Sequence, residues 1–181
     1  MSREPGLDGR HHWQRAIDLA SRRHTGQFRR NGVTPYVSHP VRVAMVAATV
    51  FGVQDERILA AAVLHDLIED TTVDYDELVE HFDHEIADWV AALSKDKRLP
   101  EDRREAEYDR AIAAAAWPVR LIKLADVYDN LCDCDDARRS AALDTARWAL
   151  VLAATDPELE HASACLDAFV RTMSTGDVAP S

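Results

Sequence analysis

Apolar residues recur along this chain at the three- and four-residue spacing of buried helix faces, and the period-two alternation of half-buried strands is scarce. The pattern predicts helices near residues 11–27, 40–51, 55–68, 75–82, 84–93, 103–115, 118–131, 139–154 and 157–172. Asp55 is placed to cap the third of these, and Asp74 with Glu77 has the form of a capping box. Pro40, Pro118 and Pro157 suit first turns, where a missing N–H costs nothing. Gly32 and Gly52 mark breaks, while the stretch from Ser94 to Asp102 is polar and irregular. No repeat or interdomain linker interrupts the pattern. The expectation is an all-α fold of eight to nine helices in a single domain over residues 11–172, with tails at 1–10 and 173–181.

The composition is ordinary for a soluble globular chain: of 181 residues, 47% are hydrophobic and 29% charged. Apolar runs are too short or too interrupted to span a bilayer, and the first ten residues lack an apolar signal core. Three cysteines give no disulfide framework and read as cytosolic thiols, which places the expected location in the cytoplasm. The net charge of −11 argues against nucleic acid as a partner. Its distribution is uneven. Residues 1–30 carry seven arginines against three acids, and a second basic cluster comprises Lys95, Lys97, Arg98, Arg103 and Arg104. Local basic patches on an acidic chain suit a small phosphorylated substrate. A solvated helix face is the alternative for the second cluster.

One run does not fit an ordinary buried helix. Ile58-Leu-Ala-Ala-Ala-Val-Leu-His-Asp-Leu-Ile-Glu-Asp70 is strongly apolar yet closes on His65, Asp66, Glu69 and Asp70. On a continuous helix His65 and Glu69 share one face, and Asp66 and Asp70 another. Three carboxylates this close are costly to bury unless a cation compensates them. Two other segments offer further ligands. His39 precedes Pro40 at the start of an apolar helix, and Asp126 closes Leu121-Ile-Lys-Leu-Ala. His39, His65, Asp66 and Asp126 make a mixed nitrogen and oxygen set that suits Mn²⁺, Fe²⁺ or Zn²⁺ better than Ca²⁺. Glu69 and Asp70, one turn on, are the expected catalytic pair that orients or deprotonates a water. There is no glycine-rich phosphate loop, so side chains and metal must hold phosphate.

The combination of His39, His65-Asp66 and Asp126 resembles the HD superfamily of metal-dependent phosphohydrolases. With the flanks His24-Thr-Gly-Gln-Phe-Arg-Arg30, Pro35-Tyr-Val-Ser-His-Pro40, Leu64-His-Asp-Leu-Ile-Glu-Asp-Thr71 and Ile122-Lys-Leu-Ala-Asp-Val-Tyr-Asp-Asn-Leu131, it resembles the hydrolase domain of RelA/SpoT proteins over about Trp13 to Asp133. Spacing and length look most like the stand-alone members, the small alarmone hydrolases, metazoan ones included. The resemblance implies an Mn²⁺-dependent hydrolysis of the 3′-pyrophosphate of ppGpp or pppGpp. It assigns water activation to Glu69 and Asp70, base stacking to Arg29, phosphate contact to Arg30 and Lys123, and sugar contact to Asn130. His24 matches as a structural residue, and Tyr36 is expected to pack beside the site. The chain departs from the long proteins at Val127-Tyr128-Asp129, where they read Arg-Leu-His, and at Asp133, where they often carry a small hydroxyl residue. The resemblance is therefore weakest where the nucleobase is read. The alternatives are another nucleotide, such as the 2′-phosphate of NADPH or a deoxynucleotide, and a non-catalytic nucleotide-binding module.

Overall fold

In the computed structural model, which describes residues 9–175, helices follow the apolar periodicity closely. Two faces of the chain are apolar nearly all round, and these become the centre. They are α3 (Glu56–Leu64), preceded by Asp55, and α8 (Trp117–Cys132). Both are lined by fully buried side chains such as Ile58, Leu64, Ile122, Leu124 and Leu131, as a helix surrounded by other helices must be. Against α3 pack α1 (His12–Arg23), α2 (Ser38–Thr49) and α6 (His84–Leu93). Against α8 pack α2, α9 (Arg139–Ala153) and α10 (Glu160–Thr175). The remaining helices, α4 (Leu67–Asp70), α5 (Tyr75–His81) and α7 (Glu101–Ala114), lie at the edges. A single 3₁₀ turn, Pro157–Leu159, leads into α10. Among the described residues the one β-type pairing is an isolated antiparallel bridge between Phe28 and Pro35. None of their helices is long and apolar enough to cross a membrane.

The helix starts are set by local chemistry. The Asp55 carboxylate accepts from the Arg57 N–H at 2.8 Å, that of Asp74 from Glu77 N–H at 2.9 Å, and that of Asp83 from Ile86 N–H at 2.9 Å. Each satisfies one of the donors a helix start leaves without an intrahelical partner.

Three expected helices differ most from the observed ones. The first ends at Arg23 rather than residue 27, because Gly26 adopts φ +80° and turns the chain. The released Gln27 side chain then donates to the Asp70 carbonyl at 2.8 Å. The expected helix 55–68 breaks at His65-Asp66, giving ten α-helices among the described residues where eight to nine were expected. Here the His65 imidazole Nδ1 donates to the Ala62 carbonyl at 2.8 Å, competing for the acceptor that a continuing helix would use. Asp66, at φ −108° and ψ 6°, has already left helical geometry. The final helix runs on to Thr175, past the expected end at 172, and carries the buried Met173. The expected tails at 1–10 and 173–181 otherwise fall mainly outside the described residues.

Candidate metal centre

Three elements far apart in sequence deliver three buried ligand atoms to one point. His39 comes from the first turn of α2, His65 from the residue after α3, and Asp126 from the middle of α8. One donor atom of each lies within 4.8 Å of the others. His39 Nε2 is 3.2 Å from Asp126 Oδ1, and His65 Nε2 is 3.9 Å from the same oxygen. Both imidazoles are engaged at their other nitrogen. His39 Nδ1 meets Asp129 Oδ2 at 2.7 Å, and His65 Nδ1 meets the Ala62 carbonyl at 2.8 Å. A carboxylate and a carbonyl only accept, so each Nδ1 carries a proton and each Nε2 turns toward Asp126.

That arrangement demands positive charge at its centre. A neutral His39 would aim a lone pair at a carboxylate oxygen 3.2 Å away. Burial disfavours a charged His39, but its hydrogen bonds to Asp126 and Asp129 outweigh burial and raise its pKa to about 9. Burial pushes the Asp126 carboxyl up, yet Lys123, His39 and His65 together hold it well below the usual carboxylate range. Asp66 stands beside this trio, with Oδ1 3.2 Å from His65 Nδ1. Oδ2 accepts from the Tyr36 hydroxyl at 2.6 Å, whereas Oδ1 is buried with no hydrogen-bond partner. A buried carboxylate oxygen left bare is costly, and a cation relieves the cost. Two imidazoles and the Asp126 carboxylate fit a divalent first-row ion; Asp66, the fourth expected ligand, lies beside this group and is not one of the three whose ligand atoms come together.

The expected catalytic pair lies next to the trio. Tyr36 links Asp70 to Asp66, its hydroxyl lying 3.2 Å from Asp70 Oδ2. Asp70 Oδ1 also receives Lys97 Nζ at 2.5 Å. Glu69 Oε2 accepts from the Lys95 backbone N–H at 3.0 Å, with Lys97 Nζ 3.8 Å from Oε1. The second basic cluster is thus largely ion-paired: Lys95 with Glu105, Arg98 with Asp96, Arg103 with Glu107.

On the other side of Asp126 opens a cavity of about 330 Å³ whose lining includes Arg29, Arg30, Lys123 and Asn130. All four residues expected to hold substrate therefore face one space that Asp126 also lines. Lys123 Nζ donates to Asp126 Oδ2 at 2.8 Å and Asn130 Nδ2 to Asp126 Oδ1 at 2.6 Å. Burial alone would lower the Lys123 pKa, but the Asp126 charge raises it, so the ammonium stays charged. The Arg29 guanidinium is forked onto Asp133, with Nε at 2.9 Å and Nη2 at 2.7 Å from Oδ2, and lies 5.9 Å from the Tyr36 ring centroid. Arg138 completes the basic wall. The sequence reading did not single out Arg138, Arg42 or the role of Asp129. The signal for the last two was available as a pair of three-residue steps, His39 to Arg42 and Asp126 to Asp129, on helices that prove to face each other.

A helical domain that brings a histidine, the histidine of a His-Asp pair and a distant aspartate to one buried point is the architecture of HD proteins. The chain belongs to the HD domain family, whose description matches residues 16–152. Among individual relatives, the guanosine-3′,5′-bis(diphosphate) 3′-pyrophosphohydrolase MESH1 of Homo sapiens is 37% identical over 120 residues, covering 65% of this chain and 66% of that protein. The protein of Aquifex aeolicus named guanosine-3′,5′-bis(diphosphate) 3′-pyrophosphohydrolase is 38% identical over 121 residues, 65% of this chain but 17% of its own length. A solved structure described as a metazoan ortholog of SpoT that hydrolyzes ppGpp and plays a role in starvation responses superposes with a TM-score of 0.79 at 25% identity, covering 94% of this chain and 98% of that one.

Proposed function

We propose that this chain is a divalent-metal-dependent phosphohydrolase acting on guanosine-3′,5′-bis(diphosphate), releasing pyrophosphate from the 3′ position and leaving GDP. The observation that carries the reading is the juxtaposition of the His39, His65 and Asp126 cluster with a basic cavity that Asp126 shares. The relatives named above bear this activity in their names, and the similar solved structure is described as hydrolysing ppGpp.

His39, His65 and Asp126, with Asp66 beside them, would hold the ion, which we take to be Mn²⁺. When bound, the divalent ion would supply Lewis acidity toward phosphoryl oxygen and water. The chain's own residues supply the rest. Arg30 and Lys123 bind phosphate oxygens, the former as a planar fork and the latter as a buried point charge. Arg29 stacks on the base and Asn130 touches the ribose. Glu69 or Asp70 accepts a proton from the water whose oxygen bonds to the phosphorus on the ribose 3′ oxygen; as that bond forms the 3′ O–P bond breaks, pyrophosphate leaves, and the 3′ oxygen takes back the proton from the same carboxylate or from solvent. The three cysteines carry no disulfide, in keeping with a cytoplasmic enzyme.

A second reading, hydrolysis of another nucleotide phosphate, is favoured by one contact. Asp133 occupies the Arg29 guanidinium, so part of the base-binding wall is already engaged. The deciding experiment loads the protein with Mn²⁺ and follows product release from ppGpp, NADPH and deoxynucleoside triphosphates. Pyrophosphate from ppGpp is the expected result. Intact ppGpp with phosphate released from NADPH or a deoxynucleotide would overturn the alarmone assignment and leave the phosphohydrolase. Nucleotide binding without turnover would leave a non-catalytic module.

A further inference from the structure

His39 is held by an arrangement that the metal cluster itself does not explain. Its Nδ1 meets Asp129 Oδ2 at 2.7 Å. Asp129 is almost fully buried, and both of its oxygens are also engaged by Arg42, Oδ1 by Nε at 2.7 Å and Oδ2 by Nη2 at 3.0 Å. The Arg42 stem lies one helical turn from His39 on α2, and Asp129 lies one turn from Asp126 on α8. The two helices thus meet twice along one seam, once through ligands and once through this ion pair. The guanidinium continues toward the cavity wall, where Nη2 is 3.5 Å from Asp133 Oδ2, the oxygen that also receives Arg29.

We propose that Asp129, braced by Arg42, is a positioning residue for the metal centre: it fixes the Nδ1–H tautomer and the ring orientation of His39 so that Nε2 is presented to the ion. This rests on the metal-site reading above. A buried carboxylate that accepts from the far nitrogen of a metal-bound imidazole orients the ring and raises its basicity, and loss of such a partner weakens metal binding by roughly 10- to 100-fold. The guanidinium fork keeps the carboxylate ionised and prevents it from turning toward the ligand cluster.

The test measures Mn²⁺ affinity by titration calorimetry on the full chain for Asp129→Ala, Asp129→Asn and His39→Ala. Asp129→Ala should weaken binding roughly 10- to 100-fold. Asp129→Asn should fall between that variant and wild type, since its amide oxygen still accepts from Nδ1 without the charge. Wild-type affinity in Asp129→Ala, with binding abolished in His39→Ala, would overturn the proposal and leave the metal site standing. Wild-type affinity in His39→Ala would instead overturn the metal-site reading. A measurement on the unaltered protein removes dependence on the folding of any variant. In Zn²⁺-loaded, ¹⁵N-histidine-labelled protein, His39 should carry its proton on Nδ1 and the metal on Nε2. The reverse tautomer would refute the positioning role.

Discussion

Asp126 is the residue on which both halves of the site depend. One of its oxygens faces His39 and His65 and receives Asn130, while the other receives Lys123. In the proposed reading, metal holding and substrate holding are thereby joined in one side chain, and the acid–base work falls to another. Glu69→Gln should keep its contact with the Lys95 N–H through the amide oxygen and retain the metal, yet lose turnover by roughly 10²–10⁴-fold. Metal content by mass spectrometry beside steady-state kinetics checks this, and undiminished turnover would transfer the role to Asp70. Arg29→Ala should raise KM for ppGpp more than it lowers kcat, because a stacking contact acts in ground and transition states alike. Cation–π contacts of this kind contribute about 1–2 kcal/mol, so a KM rise of about five- to thirtyfold is expected. The convergence of His39, His65 and Asp126 was legible in sequence because a histidine or carboxylate at the end of an apolar run has no other obvious way to be buried. Asp129 and Arg42 were not, since their meaning depends on which faces of α2 and α8 meet, and spacing within one helix carries no information about its neighbour.

The same distinction governs the helices. Those whose ends carry a capping side chain or a proline in the first turn, such as α5, α6 and α8, fall within a residue or two of where the pattern puts them. The departures at α1 and α3 occur where a side chain competes with the backbone for helix hydrogen bonds, at His65 with the Ala62 carbonyl, or where Gly26 permits a conformation that periodicity does not register. The break after α3 leaves Asp66 folded back beside His65, its Oδ1 3.2 Å from His65 Nδ1, instead of diverging by the ordinary helical turn per residue. Cap strength gives a direct check on this reading of the helix starts. Asp83 both accepts from Ile86 N–H and pairs with Arg57 of α3 at 3.0 Å, whereas Asp74 caps α5 through Glu77 N–H. Asp83→Ala should cost about 1–2 kcal/mol and Asp74→Ala about 1 kcal/mol or less in urea denaturation. A larger loss at Asp74 would show that the tie between α6 and α3 contributes little.

Across the whole molecule, the metal cluster sits where α2, the end of α3 and α8 converge, joining positions 39, 65 and 126 of one core. Leu64, Ile122 and Leu124, neighbours in sequence of these residues, belong to the one hydrophobic core, so opening the centre means separating helices that hold the domain together. An ion bound there should therefore vanish on unfolding and stabilise the native state by mass action. At a free metal concentration of about 100 times Kd the gain is about 2.7 kcal/mol. For a domain of this size each kcal/mol moves Tm by about 2–4 °C, so Mn²⁺ should raise Tm by about 5–11 °C over chelated protein. The variants sort the cause. In His39→Ala the Mn²⁺-dependent shift should disappear, because a ligand is gone. In Glu69→Gln it should persist at full size, because that carboxylate is not among the groups that come together as candidate ligands. A Tm indifferent to Mn²⁺ in the unaltered protein would mean that the orphaned Asp66 oxygen and the facing His39 and Asp126 groups are compensated by protons alone, and the metal-dependent chemistry would lose its basis.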